Sequence, residues 1–156
     1  MTTEIDTDRD LMLTRVLDAP REKVFRCWTD PEVMLRWFTP PPWRTTRAEL
    51  DLRPGGASLI VMTGPGGEEM PNRGVYLEVV PNERLVFTDA YESAWKPSAR
   101  PFFTVILSFE DAGEGKTRYT AVARHWTKAD KEAHEPNFNQ GWAIATDQLE
   151  ATAKTL

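Results

Sequence analysis

The first part of the chain has the pattern of one strand followed by two short helices. Apolar and β-branched residues run from Leu11 to Leu17 and stop at a polar, proline-containing turn, as is typical of a strand. Prolines then mark two helix starts, because a proline fits the first helical turn, where its missing N–H costs nothing. We expect these helices over residues 20–29 and 31–38, with the second ended by the three prolines after Thr39.

From residue 45 onward the apolar period changes to two, and Gly, Pro and Asn appear at hairpin spacing. Six further strands are predicted, over residues 45–52, 58–63, 73–80, 85–90, 102–109 and 117–124. Gly55 and Gly56 are expected to serve the turn between the first two of these, where a positive φ is needed. The links are too short for parallel crossovers, so about seven strands should form one antiparallel sheet.

The C-terminal segment predicts a long helix that lies along this sheet. Thr127-Lys-Ala-Asp130 has the form of a helix start, and Pro136 is expected to interrupt the helix soon afterwards. Spacings of three and four then place apolar residues on one face: Phe138, Trp142, Ala145, Leu149, Thr152 and Leu156. The fold class is therefore α+β. Residues 10–156 are expected to form one domain after a disordered or extended tail over residues 1–9.

Composition narrows the classes of partner. The chain has 156 residues, with 19 Lys and Arg against 24 Asp and Glu. The resulting net charge of −5 does not favour binding to nucleic acid or anionic lipid. No apolar run approaches the ~20 residues of a membrane span. The single Cys27 excludes an intramolecular disulfide and suits a reducing, cytoplasmic compartment. His125 and His134 are nine residues apart, which is not the spacing of a helical ligand pair, so neither a metal nor another cofactor is expected.

Several motifs along the chain are jointly similar to one known family. They are Leu17-Asp-Ala-Pro-Arg-Glu-Lys-Val-Phe25, Trp28-Thr-Asp-Pro31, Trp37, Asp51-Leu-Arg-Pro-Gly-Gly56, Gly74-Val-Tyr-Leu-Glu-Val-Val-Pro81, Glu83-Arg-Leu-Val-Phe-Thr88 and Gly141-Trp142. Together, over about residues 10–156, they resemble proteins like the activator of heat-shock-protein-90 ATPase, which belong to the START-like (SRPBCC) superfamily. The resemblance implies a helix-grip fold, in which a curved antiparallel sheet of about seven strands wraps a long C-terminal helix and two short helices lie between strands 1 and 2.

The resemblance also implies a cavity between the sheet and the C-terminal helix, used in the superfamily for small hydrophobic or aromatic ligands. The six tryptophans of the chain fit such an aromatic-walled pocket, although each ring also suits ordinary core packing. The candidate ligand-binding residues are Trp28, Trp37, Phe38, Trp43, Ile60, Met62, Phe87, Tyr91, Trp95 and Trp142.

Two loops are candidates for the mouth of this cavity. Tyr91–Pro101 is long for a hairpin link, and long ordered loops often act as lids, so Trp95 either closes over a ligand or anchors the loop. Thr39–Trp43 is either a rigid polyproline spacer or a second rim.

Two alternative functions stay open at this point. Some superfamily members are cyclases or aromatases, and Glu49, Tyr76, Tyr91 and His125 are the candidates for proton transfer in such an enzyme. Glu49 equally suits a surface charge ladder, and His125 a hydrogen bond at a strand end. The third hypothesis is an interaction module that contacts a chaperone, and a homodimer is also compatible with the apolar content.

Overall fold

The computed structural model describes residues 3–156. Residues 1 and 2, which belong to the predicted tail, lie outside the described residues; the backbone of residues 7–9 forms a turn that leads into the first strand. In chain order the elements are β1 (Asp10–Leu17), α1 (Arg21–Thr29), α2 (Pro31–Met34), β2 (Arg44–Leu50), β3 (Ala57–Thr63), β4 (Glu69–Val80), β5 (Arg84–Thr88), β6 (Tyr91–Ser93), β7 (Lys96–Pro97), β8 (Phe103–Asp111), β9 (Thr117–His125), α3 (Lys128–Asn137), a π-helical turn (Phe138–Trp142) and α4 (Ala143–Ala153).

Seven of the strands form one antiparallel sheet in the order β1-β9-β8-β5-β4-β3-β2. Strands β2 to β5 follow one another as a meander. Strand β1 pairs with β9, so the first strand of the chain lies beside the last. The remaining strands, β6 and β7, form a separate small hairpin. The predicted α+β class, the seven-stranded sheet and the two short helices after the first strand are confirmed.

The register of the sheet aligns apolar side chains in rows on one face. Leu85 pairs with Leu107, and Leu107 pairs with Ala121, so three neighbouring strands each contribute a fully buried residue to the same row. Leu149 and Ala153 of α4 belong to the same buried cluster. The C-terminal helix therefore lies on this face of the sheet, which we call the concave face.

The apolar face predicted for the C-terminal helix is confirmed, but the interruption predicted at Pro136 is wrong. Helix α3 continues through Pro136 to Asn137, and the irregularity comes immediately afterwards, in the π-helical turn. A proline removes one N–H donor from the helix ladder, and a wider turn is one way in which a helix accommodates an irregular hydrogen-bond pattern. The result is a nearly continuous helical run with Phe138 and Leu149 buried on the same side.

The second short helix is shorter than predicted, since α2 ends at Met34 and residues 35–38 form turns. Side-chain hydrogen bonds hold this turn segment in place. The Trp37 indole Nε1–H donates to the Cys27 carbonyl at 2.9 Å, and the Gln148 side-chain amide of α4 donates to the Trp37 carbonyl at 2.7 Å. The segment is thus attached both to α1 and to the C-terminal helix.

Two other predicted boundaries also differ in the sheet. Strand β4 begins at Glu69, four residues before the predicted start, because the Gly-rich turn before it is tight and pairing begins directly after it. The predicted loop Tyr91–Pro101 contains the β6–β7 hairpin, whose cross-strand pairing the sequence pattern does not reveal.

The turn between β2 and β3 is held against β4 by two backbone hydrogen bonds. Gly55 N–H donates to the Tyr76 carbonyl at 2.8 Å, and Tyr76 N–H donates to the Gly56 carbonyl at 2.9 Å. Gly55 has a φ of +84°, as the turn prediction requires. Gly56 is needed for a different reason, because a Cβ there would collide with the Asp51 carbonyl oxygen.

We predict opposite stability changes for Gly56→Ala and Gly141→Ala. The first forces backbone to move at a closed turn, which should lower the free energy of unfolding by roughly 1–3 kcal/mol. The second adds a methyl group where no atom lies within 4 Å, in a helical run, and should raise it by about 0.5–1 kcal/mol. Urea denaturation of both variants measures these changes. Equal stability of Gly56→Ala and the wild type would contradict the close approach at the turn.

Candidate functional site

A cavity of about 780 Å³ lies between the concave face of the sheet and the C-terminal helical run. Its walls come from α1, the segment that follows α2, strands β3, β4, β8 and β9, the turn after β5, and the C-terminal run of α3, the π-helical turn and α4. The lining residues are Trp28, Trp37, Phe38, Thr39, Pro40, Pro41, Trp43, Met62, Met70, Asn72, Asp89, Phe102, Phe103, Tyr119, His134, Asn137, Gln140, Gly141, Trp142, Ile144, Ala145 and Thr146.

A smaller and more polar cavity of about 420 Å³ adjoins it over the middle strands. The two share the lining residues Phe38, Asn72, Asp89 and Phe103. The others that line the smaller cavity are Ser58, Ile60, Pro71, Arg73, Gly74, Phe87, Thr88, Glu92 and Ser98. The larger, aromatic-walled cavity thus continues into a region with several hydrogen-bonding side chains.

Most of the residues predicted to bind a ligand line one of these cavities. Trp28, Trp37, Phe38, Trp43, Met62 and Trp142 line the larger one, and Phe38, Ile60 and Phe87 line the smaller one. Tyr91 and Trp95 are in neither lining. Contact with a ligand stays a prediction for all ten residues.

The inner wall of the larger cavity is centred on Trp28. The centroid of its ring lies 4.8 Å from that of Trp37, 5.8 Å from that of Phe38 and 5.6 Å from that of Phe87, in edge-on or tilted contacts. Its Nε1–H donates to the Tyr119 hydroxyl at 3.1 Å, so the buried indole has its hydrogen-bond partner. Burial raises the pKa of Tyr119, which keeps the hydroxyl neutral. The wall is therefore fixed and uncharged.

The opposite wall is formed by the π-helical turn and the start of α4. The rings of Phe138 and Trp142 lie 5.0 Å apart at an angle of 33°, and the Thr146 hydroxyl donates to the Trp142 carbonyl at 2.6 Å. The π-helical turn also contributes Gln140 and Gly141 to the lining. Irregular helical turns of this kind occur often at functional sites.

The segment from Thr39 to Trp43 forms one edge of the larger cavity. Thr39, Pro40, Pro41 and Trp43 all line it, and the Gln148 side chain donates to the Thr39 carbonyl at 3.1 Å. This edge is thereby attached to α4. Of the two predictions for the segment, a spacer or a rim, the geometry favours the rim.

The Tyr91–Pro101 loop lies farther from the larger cavity than predicted. The side chain of Trp95 is 63% exposed, its ring contacts Tyr91 edge-on at 5.5 Å, and it covers the Gly55 turn. The loop contributes Glu92 and Ser98 to the smaller cavity instead. Sequence reasoning selected Tyr91, Trp95 and Arg100 in this loop and did not select Glu92 or Ser98.

None of the four candidates for proton transfer lines either cavity. Ala48 and Leu50 pack against the core, so Glu49 between them projects from the opposite, convex face of the sheet. There it is exposed and pairs with Arg47 at 2.6 Å. Tyr76 is buried against Phe87, with ring centroids 6.4 Å apart, and burial raises the pKa of its hydroxyl. Tyr91 lies in the β6–β7 hairpin.

The fourth candidate, His125, is buried at the end of β9 and contacts the other histidine of the chain. Its Nδ1 lies 2.9 Å from the Arg9 carbonyl oxygen, and its Nε2 lies 2.7 Å from Nδ1 of His134. His134 lines the larger cavity, and desolvation together with the neighbouring His125 lowers the pKa of His134 to about 4, so it is neutral near pH 7. The expected strand-end hydrogen bond of His125 is present.

The pairing of these two histidines was missed because only helical ligand spacing was considered. The contact arises because β9 ends where α3 begins, and the chain turns back on itself in between. Within residues 3–156, no group of three or more His, Cys, Asp or Glu side chains is placed to hold a metal ion.

Asp89 is a second polar residue of the site that the sequence analysis overlooked. Its Oδ1 accepts hydrogen bonds from the backbone N–H groups of Phe102 and Phe103, at 2.8 and 3.1 Å. Burial raises the pKa of this carboxyl group above its ordinary value, against the effect of those hydrogen bonds. Asp89 lines both cavities, just after β5, a position that a strand pattern reads only as a turn.

Comparison with solved structures identifies close relatives in bacteria. A crystal structure from Nitrosomonas europaea is 38% identical, with a TM-score of 0.92 over 97% of each chain. A crystal structure from Chromobacterium violaceum is 28% identical, with a TM-score of 0.74 over 93% of this chain and 96% of the other. One from Mycobacterium smegmatis is 26% identical, with a TM-score of 0.75 over 93% and 90%.

No curated protein has a significant sequence match to this chain. Within the described residues, no helix is both long enough and apolar enough to cross a membrane. The family model described as activator of Hsp90 ATPase homolog 1-like protein matches residues 18–154, which is nearly the entire chain. The chain therefore belongs to the family of activator of Hsp90 ATPase homolog 1-like proteins, as its motifs predict.

Proposed function

We propose that this protein binds a small hydrophobic or aromatic molecule in the cavity between its sheet and its C-terminal helix. The observation that carries the proposal is the cavity of about 780 Å³ with aromatic walls on both sides. Pockets for small molecules usually measure about 300–1,000 Å³ and combine apolar walls with a few polar groups. This cavity has both the size and that combination.

The walls favour binding because their side chains are held by contacts within the protein. The Trp28 cluster is fixed by ring contacts and by the hydrogen bond to Tyr119, and the rim at Thr39 is attached to Gln148. A ligand that enters a preformed site loses little free energy to ordering of the protein. Apolar burial then supplies the affinity, at about 25 cal/mol per Å² of surface removed from water.

Binding is proposed in preference to catalysis. None of the predicted proton-transfer candidates Glu49, Tyr76, Tyr91 and His125 lines either cavity. Of the titratable residues that do line the larger cavity, Asp89 and His134 are proposed as hydrogen-bonding partners of the ligand. His125 is covered by His134. We propose no metal or cofactor for the site. We further propose a reducing, cytoplasmic setting, in which the buried Cys27, whose pKa is raised to about 12 by desolvation, stays an unreactive thiol.

The sharpest test compares two tryptophans, one inside and one outside the cavity. Trp142 lines it, whereas Trp126 is 57% exposed and does not. With the neutral fluorophore 1-aminoanthracene as probe, we expect saturable binding to the wild type and a Kd about tenfold higher in Trp142→Leu, since about 1.4 kcal/mol of ring contact is lost. Trp126→Leu should bind as the wild type does.

Fluorescence titration gives both dissociation constants, and circular dichroism checks that each variant is folded. If the wild type shows no saturable binding to the probe, or if the two variants weaken binding equally, the proposed site is wrong.

A separate prediction concerns the loop that the sequence analysis assigned to a lid. Because Trp95 packs over the Gly55 turn and lines neither cavity, Trp95→Leu should leave the Kd for 1-aminoanthracene unchanged within about twofold. The same titration measures it. A loss of affinity comparable with that of Trp142→Leu would instead support the lid.

A further inference from the structure

The two histidines form a hydrogen-bonded chain whose direction is set at one end by a backbone carbonyl. The Arg9 carbonyl oxygen accepts a hydrogen bond from the backbone N–H of His125 at 2.9 Å and lies 2.9 Å from Nδ1 of the same residue. A carbonyl oxygen only accepts, so Nδ1 of His125 must carry a proton. The next residue, Asp10, is buried and pairs with Arg124 through both carboxylate oxygens, which fixes this end of β1.

The same logic sets the tautomer of His134. His125 is buried, its ring contacts Phe102 and Phe103, and its two nitrogen partners are a carbonyl and an imidazole. In the tautomer that carries its single proton on Nδ1, Nε2 accepts. His134 must therefore donate from Nδ1, and since it is neutral, its own Nε2 carries a free lone pair.

That lone pair has no partner within the protein but is accessible. Over residues 3–156, no hydrogen bond to His134 Nε2 is formed, and yet no fully buried side-chain nitrogen or oxygen is left without a partner. The atom is thus reached by solvent, and the ring to which it belongs lines the larger cavity. Around it the ring is enclosed by Phe102, Phe103 and Phe138, at centroid distances of 5.2, 5.7 and 5.8 Å.

We propose that Nε2 of His134 accepts a hydrogen bond from a hydroxyl group on an otherwise apolar, aromatic ligand, and that His125 is the positioning residue that fixes this tautomer. The inference rests on the proposed binding function and names the class of ligand. A hydroxyl donor satisfies this acceptor, whereas an ether or a hydrocarbon leaves it unpaired. Phenolic and alcoholic aromatic molecules have the required chemistry.

The test compares two probes that differ only in this donor, 2-naphthol and 2-methoxynaphthalene, by isothermal titration calorimetry. The wild type should bind 2-naphthol roughly fivefold more tightly. In His134→Leu the two probes should bind with equal affinity. His134→Gln, whose side-chain oxygen keeps an acceptor near the position of Nε2, should retain part of the preference.

The outcomes separate this inference from the proposed function. If both probes bind to the wild type with equal affinity, ligand binding in the cavity is supported and the proposed role of His134 is wrong. If neither probe binds, the ligand-binding function fails and the inference fails with it. If the preference survives in His134→Leu but disappears in Asp89→Asn, the donor is recognised by Asp89 and the inference is overturned.

Nitrogen-15 NMR of the histidine side chains tests the tautomer without any ligand. We expect each ring to carry a proton on Nδ1, with Nε2 of His134 unprotonated at pH 7. In His125→Leu the tautomer of His134 should become mixed, and His125→Gln, which restores an acceptor opposite His134 Nδ1, should return it towards the wild-type pattern. A protonated Nε2 on His134 in the wild type would overturn the inference, because that atom would then donate instead of accepting.

Discussion

The structure is constrained above all by the need to cover the concave face of a seven-stranded sheet with one helical run. Helix α4 packs closely over the rows that include Leu107 and Ala121, where the side chains are fully buried. Towards α3 and the π-helical turn, the helices and the sheet enclose a cavity of about 780 Å³ instead of a solid core. Large rings line this space, because small side chains would leave it wider still and its walls less well supported.

This constraint explains why the aromatic residues are at once core and cavity wall. Trp28 is 4% exposed and hydrogen-bonded to Tyr119, as a core residue should be, and its ring also borders the cavity. Core packing and ligand contact, weighed against each other from the sequence, are therefore not exclusive for such a ring. The stability of the wall and the shape of the site depend on the same contacts, so a substitution at Trp28 would change both.

The sequence predicted those features that depend on local periodicity. The period-two strands, the spacing of three and four from Phe138 to Leu156 and the family motifs led to the sheet, the helix and the fold. What could not be predicted depends on which distant residues meet. The contact of His125 with His134 needs β9 and α3 to pack together, and the placement of Asp89 depends on backbone donors at Phe102 and Phe103, thirteen and fourteen residues later. Neither contact can be inferred from the spacing of residues in the sequence.

Two polar residues of the site, Asp89 and His134, lie beside the same aromatic ring. Phe103 lines both cavities; its backbone N–H donates to Asp89, and its ring lies 5.7 Å from the ring of His134. The Trp28 indole N–H, in contrast, is already bonded to the Tyr119 hydroxyl. A ligand bound as we propose would therefore direct a single polar group towards Asp89 and His134, since the reversed orientation would bury that group against rings.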